Sequence, residues 1–348
     1  MNSTGRRKIL AGLGALALLC ADMRATGAVT PERLEEDNAL KIDVRTPHTK
    51  YARPYARGAI RALFLVHQSA EINALPIRHA VELMQRFDIE GDAVLVMTGK
   101  GKTYAVAYKG GSGVYGGDLG EQRLDRLLEI PYDCYVVTGP ILGHIPPAGR
   151  QAIMDRVEGG AGLALLYRTG DEDKPLLAGA RELSDLPATL WGLEVRTFSR
   201  GEGRIVSCAV EAGWNGFRAS GAQMLFGFDL HRDLYYEARG RAILWAADRQ
   251  PRLDLSLALP AEAIDRGALA DHPVSILWKP TSKGSGGPIR IEARIRSAAR
   301  GEQNLRVLEG LAPEGGRATI DLPSLPAGSY RVQAIASGEK GVEAWTLD

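Results

Sequence analysis

Cysteine is scarce in this chain: three in 348 residues, at positions 20, 134 and 208. No two of them have zinc-ligand spacing, and so few exclude a disulfide-framework scaffold. The six histidines are scattered, so the sequence implies no metal and no cofactor. An excess of one charge is lacking as well. Lys and Arg total 43 against 42 Asp and Glu, a formal +1. That balance leaves no electrostatic footprint for nucleic acid or for an anionic membrane surface. Long apolar runs are also missing. The most marked one, 9–19 (ILAGLGALALL), is shorter than the ~20 residues that span a bilayer. The chain therefore reads as not an integral membrane protein.

That short run has the surroundings of an export signal. Arg6, Arg7 and Lys8 precede it, and Thr26-Gly27-Ala28 follows with small residues for cleavage. The expectation is a signal peptide over 1–28 and an exported, periplasmic or extracellular, mature protein. The paired arginines before Lys8-Ile9-Leu10 resemble a twin-arginine signal. Gly5 and Ile9 depart from that pattern, so a Sec signal fits equally. Leu19 is too large for the usual lipobox before Cys20, which favours simple cleavage. Loss of 1–28 removes four cations and one acid and leaves a formal charge of −2.

What is present is a two-part layout. Residues 29–57 are polar, broken by Pro31, Pro47 and Pro54, and read as an irregular lead-in lying over the surface. From 58 to 248, apolar runs alternate with amphipathic ones. The runs at 62–67, 93–97, 132–137, 163–167, 193–198 and 204–210 read as strands, and 103–108 as an extra one. Segments 76–87, 122–130, 147–158 and 234–247 read as helices, the last despite Gly240. The stretch 132–168 is a strand–helix–strand crossover of a buried parallel sheet. After Arg249-Gln250-Pro251 the texture changes. Seven short alternating runs, at 253–259, 274–278, 289–295, 304–308, 318–322, 330–335 and 342–347, predict a β-sandwich over 252–348.

The crossover, with Thr138-Gly139-Pro140 after its first strand and Gly159-Gly160-Ala161-Gly162 before its second, resembles the core of the class I glutamine amidotransferase-like superfamily. The resemblance covers roughly 58–248 and lies nearest the non-catalytic branches, such as β-galactosidase trimerisation domains and trehalose-utilisation-type proteins. It implies a flavodoxin-like doubly wound parallel sheet. Likewise 325–330 (LPAGSY) resembles the turn before a late strand of immunoglobulin-like and fibronectin type III-like modules.

Catalytic members of the superfamily carry a Gly-x-Cys-x-Gly elbow after a strand. The matching run here is Leu166-Tyr167-Arg168-Thr169-Gly170, with Arg168 in the nucleophile's place. An arginine binds anions but does not attack carbonyls. The trehalose-utilisation pattern keeps Gly203-Arg204-Ile205-Val206 but has Gly213-Trp214 where a Gly-His is expected. The resemblance therefore implies no catalytic residue.

In open parallel sheets, ligands collect at the carboxyl ends of the strands. Those ends carry His67-Gln68-Ser69, Thr98-Gly99-Lys100, Thr138 with His144, Arg168-Thr169, and Glu211 with Trp214. His67, Thr138, His144, Arg168, Thr169, Glu211 and Trp214 are the candidate ligand-binding set. The bland reading is that strand ends are polar wherever loops meet water.

Other motifs are weaker. Residues 111–116 satisfy G-x-G-x-x-G, but a surface loop explains them without a dinucleotide. Asp171-Glu172-Asp173 reads as a solvated loop before it reads as a calcium site. Cys134 and Cys208 sit inside strands, where core packing is expected over a disulfide. Glu211 with Asp229 could form a glycosidase carboxylate pair. Trp278, Tyr330 and Trp345 could stack on sugars, but their strand positions favour the core.

The leading expectation is an exported, non-catalytic binding or assembly module of the cell envelope. Its partners would be a polysaccharide or another envelope protein. The alternative is a hydrolase acting on a carbohydrate or small polar substrate through the same crevice. A third reading makes the two parts the front end of a longer architecture.

Overall fold

The computed structural model describes residues 29–40, 51–69, 76–98, 113–184, 193–210, 230–259, 272–281, 287–297 and 301–347, with positions 186, 189, 190 and 264 between them. The expected export signal and the expected strand at 103–108 lie outside the described residues.

The first part is built on one sheet. Its parallel strands are β1 (Ile60–Ser69), β2 (Ile89–Thr98), β4 (Cys134–Val137), β5 (Gly162–Leu165) and β9 (Gly203–Val210). In space they run β2-β1-β4-β5-β9. The short β3 (Gly113–Val114) adds antiparallel to β2 at one edge. β8 (Leu193–Arg200) runs antiparallel beside β9, and carries β6 (Arg181–Leu183) and β7 (Thr189–Leu190).

Helices cover both faces, and β1 shows why its sequence is apolar at nearly every position. Ala62, Phe64 and Val66 pack into one buried cluster with α2 (Pro76–Arg86) and α6 (Leu230–Ala246). Leu63 and Leu65 pack into another with α3 (Asp118–Leu128) and α4 (Pro147–Glu158). Alternate side chains of a strand leave on opposite faces, so a strand buried twice must be apolar twice. Gly240 inside α6 has a packing reason: a Cβ there would overlap the Phe87 ring.

The second part has the seven expected strands. β10 (Leu253–Ala258), β11 (Val274–Pro280) and β14 (Gly316–Ile320) form one antiparallel sheet. β12 (Ile289–Ser297), β13 (Gly301–Leu311), β15 (Tyr330–Gly338) and β16 (Gly341–Leu347) form the other, in the order β13-β12-β15-β16. Leu253, Leu255, Ile276 and Trp278 of the first sheet share a core with Ile289, Ile291, Ala334 and Ala344 of the second. The sheets are therefore the two layers of a sandwich. At the start of β15, the Tyr330 hydroxyl donates to the Pro326 carbonyl at 2.8 Å.

Among the described residues, the lead-in is partly helical and partly buried. Thr30 caps the helix α1 (Pro31–Asn38) through its side chain. Asn38 is buried and accepts from the Leu95 N–H at 2.8 Å. Tyr51, Ala52 and Tyr55 are buried as well. The backbone at 54–56 pairs with Val342 of β16 through two hydrogen bonds of 2.9 Å. This segment was read as surface because its prolines break periodicity. Tyr51, Ala52 and Tyr55 instead pack into the core that the two parts share.

The parts meet through a shared core and a buried polar network. Trp345 of β16 lies in the same cluster as Phe87 and Trp245 of the α/β part. Arg86 pairs with Glu82 one turn earlier and with Asp233 of α6 at 3.1 Å. Asp233 also pairs with Arg296 of β12 at 2.8 Å. Glu237 has a side chain 0% exposed and accepts at 2.6 Å from Arg241 Nε and from Trp345 Nε1. Buried charge persists only when partnered, and these partners come from four elements.

Candidate functional site

Leaving β1, the chain builds β2 on one side; β4 later pairs on the other. Such a reversal of strand order is where open parallel sheets offer a crevice, here at the carboxyl ends of β1 and β4. His67 stands at this point. Its backbone N–H donates to Thr138 Oγ1 at 2.9 Å. Its Nε2 lies 2.6 Å from Thr98 Oγ1, beyond the end of the apolar run of β2. Thr138 is fixed because its own N–H continues the parallel ladder to the Leu65 carbonyl. Gly139 follows, and a Cβ there would overlap the His67 ring. The glycine is what lets the imidazole lie flat against the chain.

His144 closes the group on the 3-10 turn Leu142–His144, an exposed position. Partial burial lowers the His67 pKa, and the nearby His144 lowers it further. Both effects favour the neutral imidazole. The crevice presents this ring and two hydroxyls, groups that both donate and accept hydrogen bonds.

The structure divides the candidate set. His67, Thr138 and His144 come together. Arg168 and Thr169 lie past the end of β5, two strands or ~10 Å along the sheet from β1. There they line a small cavity of about 110 Å³ with Glu194, Arg196, Ser207 and Ala209. Arg168 is already engaged, 2.7 Å from Glu194 on β8, the strand beyond β9. Leu166 and Tyr167 are buried, so the chain emerges only at Arg168, two strands along the sheet from His67. Glu211 and Trp214 lie outside the described residues, as does Asp229. Thr98 was outside the candidate set. The signal that finds it is the parallel register, which pairs His67 with Val96 and Ser69 with Thr98 and so brings both strand ends to one level.

The region matching the elbow has no elbow geometry. β5 ends at Leu165, and the next helix, α5 (Lys174–Leu177), starts only after the 3-10 turn Asp171–Asp173. The acidic run has a structural use. Asp173 accepts from the Tyr167 hydroxyl at 2.8 Å and from the Gly170 N–H at 2.9 Å, while Asp171 pairs with Lys174. Among the described residues, no three His, Cys, Asp or Glu side chains gather as a metal site.

Cys134 and Cys208 are buried free thiols. Burial raises both pKa values, that of Cys208 to about 11. Cys208 faces the α2–α6 side of the sheet, whereas the residues flanking His144 pack on the opposite side. They form no thiol–imidazole pair. The glycine-rich stretch before α3 does not suit a pyrophosphate either. Asp118 and Glu121 occupy the first turn of α3, where an anion would need the N-terminus free.

The sandwich aromatics are not a sugar platform. Trp345 is 1% exposed and Trp278 is 7% exposed, with its Nε1 bonded to the Ala312 carbonyl. Tyr330 is tied to Pro326. No helix among the described residues is long and apolar enough to cross a membrane.

No protein-family model matches the chain, and no curated protein does. Solved structures give faint likenesses. Pyridoxal kinase from Staphylococcus aureus in complex with AMP-PCP is 12% identical, over 54% of this chain and 85% of that one, with a TM-score of 0.23. The same kinase with pyridoxal gives 13% identity, 55% and 89% coverage and a TM-score of 0.23. A β-glucosidase from Kluyveromyces marxianus gives 9% identity, 68% and 34% coverage and a TM-score of 0.18. Likenesses this faint carry no argument.

Proposed function

We propose that this chain is an exported, non-catalytic binding module of the cell envelope whose crevice takes a small neutral polar ligand of the carbohydrate class. One observation carries the reading. Among the described residues the crevice gathers a neutral imidazole and threonine hydroxyls, with no carboxylate and no thiol converging on them. Such groups match the hydroxyls of a sugar and offer no formal charge to an ion. Export rests on the charged and apolar pattern of residues 1–28.

The parallel order β2-β1-β4-β5-β9 supports a flavodoxin-like assignment, with the strands following 2-1-3-4-5. Kinship with the amidotransferase-like superfamily rests on that order and on the 132–168 crossover. The Tyr330–Pro326 bond is a tyrosine corner, which supports an immunoglobulin-like or fibronectin type III-like sandwich.

The test is a thermal-shift titration of residues 29–348 with neutral oligosaccharides. A ligand that binds only the folded state raises the melting temperature by mass action. The reading expects a saturable rise that His67→Ala or Thr138→Val abolishes and Arg168→Ala leaves intact. A rise unchanged in the first two variants would refute the site.

A second reading follows from the 2.6 Å approach of His67 Nε2 to Thr98 Oγ1. A hydroxyl within reach of a neutral imidazole is a nucleophile–base pair in outline, and it would make the chain a hydrolase. Turnover of a chromogenic glycoside or ester that disappears in Thr98→Val would favour this reading over simple binding.

A further inference from the structure

A second cavity, of about 420 Å³, lies at the end of the sandwich beside the lead-in and is lined by Arg252, Ile289, Gly338, Glu339, Lys340 and Glu343 among others. It is independent of the crevice. Arg252 comes from the link between α6 and β10. Glu339 and Lys340 form the tip of the β15–β16 hairpin, and Glu343 follows on β16. The volume falls within the range of small-molecule sites, ~300–1,000 Å³.

The lining carries two cations and two acids, and none is paired with another. Glu343 Oε2 is shielded from water and has no hydrogen-bond partner. Elsewhere in the sandwich some charges do find each other: Lys279 lies 3.0 Å from Asp254, and Arg294 lies 2.9 Å from Glu292. Glu343 lies over Gly338, where a Cβ would come within 3.4 Å of its Oε1. Arg252 approaches from a different segment. An orphaned carboxylate oxygen costs desolvation unless something fills its place.

We propose that the cavity binds a small zwitterion of the α-amino-acid class, its carboxylate on Arg252 and its ammonium on Glu343, with Lys340 and Glu339 at the rim. Charge-assisted hydrogen bonds of this kind are the strong ones. A ligand with one charge satisfies one wall and meets repulsion or an unpaired group at the other, which gives selectivity.

Calorimetric titration of residues 29–348 tests this. The probes are the common L-α-amino acids one at a time, glycylglycine, acetate and methylammonium. At least one amino acid should bind saturably, with acetate and methylammonium at least ten-fold weaker. Arg252→Gln and Glu343→Gln should each weaken binding ten-fold or more, while Lys279→Gln should not. Thermal unfolding verifies that each variant folds. Should one fail, Arg252→Lys or Glu343→Asp takes its place, with the same loss expected. No saturable binding by any amino acid, equal binding of acetate or methylammonium, or affinity unchanged in the variants would overturn the assignment. So would binding of glycylglycine alone.

Discussion

The molecule holds polar side chains in two contrasting ways. At the crevice, His67, Thr98 and Thr138 are uncharged at neutral pH, touch each other through single hydrogen bonds, and border solvent. At the junction of the two parts, Arg86, Glu82, Asp233, Arg296 and Glu237 are ionisable, buried and multiply partnered. The crevice groups can exchange partners for a ligand at little cost. The junction groups cannot, because each broken pair strands a charge away from water. The difference separates polar residues left open to the proposed ligand from those that hold the sandwich against the α/β part.

The contrast is broken most severely by Asp233→Ala. It removes the carboxylate that pairs with both Arg86 and Arg296. The expected loss is ~3–5 kcal/mol, the usual cost of an uncompensated buried charge, read by chemical denaturation. A loss within the range of a surface pair would mean that the junction is hydrated in solution.

Glu237 sharpens the comparison through pH. Burial raises its pKa above the ordinary carboxylate range, with Arg241 and the Trp345 N–H acting against that rise. The folded state therefore holds this proton more tightly than the unfolded one. The contribution is fully present below the unfolded pKa and is lost as pH rises through the folded one. Glu237→Gln should flatten that part of the stability profile while keeping an acceptor for Trp345. An unchanged profile would contradict the raised pKa.

At the crevice the effects are smaller. Thr138→Val removes the acceptor of the His67 N–H and should cost ~1 kcal/mol. His67 has the opposite pH sign from Glu237. Its pKa is lowered in the fold, so its contribution is present above the unfolded value near 6.5 and is lost as pH falls through the folded one. Ligand binding should weaken over the same acidic window. The smallest effect is expected of Arg168→Ala. It breaks an exposed pair with Glu194, worth ~0–1 kcal/mol.

Much of the scaffold was legible from local periodicity. The helix at 147–158 and the seven sandwich runs follow directly from 3.6- and two-residue repeats, which burial on one face imposes. His67 and Thr138 were legible because strand ends at a switch point collect ligands. The junction was not. Glu82 and Arg86 occupy the polar positions of α2, which periodicity assigns to water. They are buried because their charges are matched by each other and by Asp233, 147 positions beyond Arg86 in the chain. No local pattern encodes a partner at that distance. The lead-in was misread for a related reason: Tyr51 and Tyr55 are anchored by Asp233 and Arg249 carbonyls, far along the sequence.

The most direct test of the binding proposal is a calorimetric titration of a neutral oligosaccharide into residues 29–348, repeated with His67→Ala and with Asp233→Asn. The account predicts that binding is lost with His67→Ala while the melting temperature falls far less than in Asp233→Asn. It predicts that Asp233→Asn lowers the melting temperature but, below it, binds with unaltered affinity. Binding that survives His67→Ala and fails with Asp233→Asn would place the ligand at the junction and contradict the account.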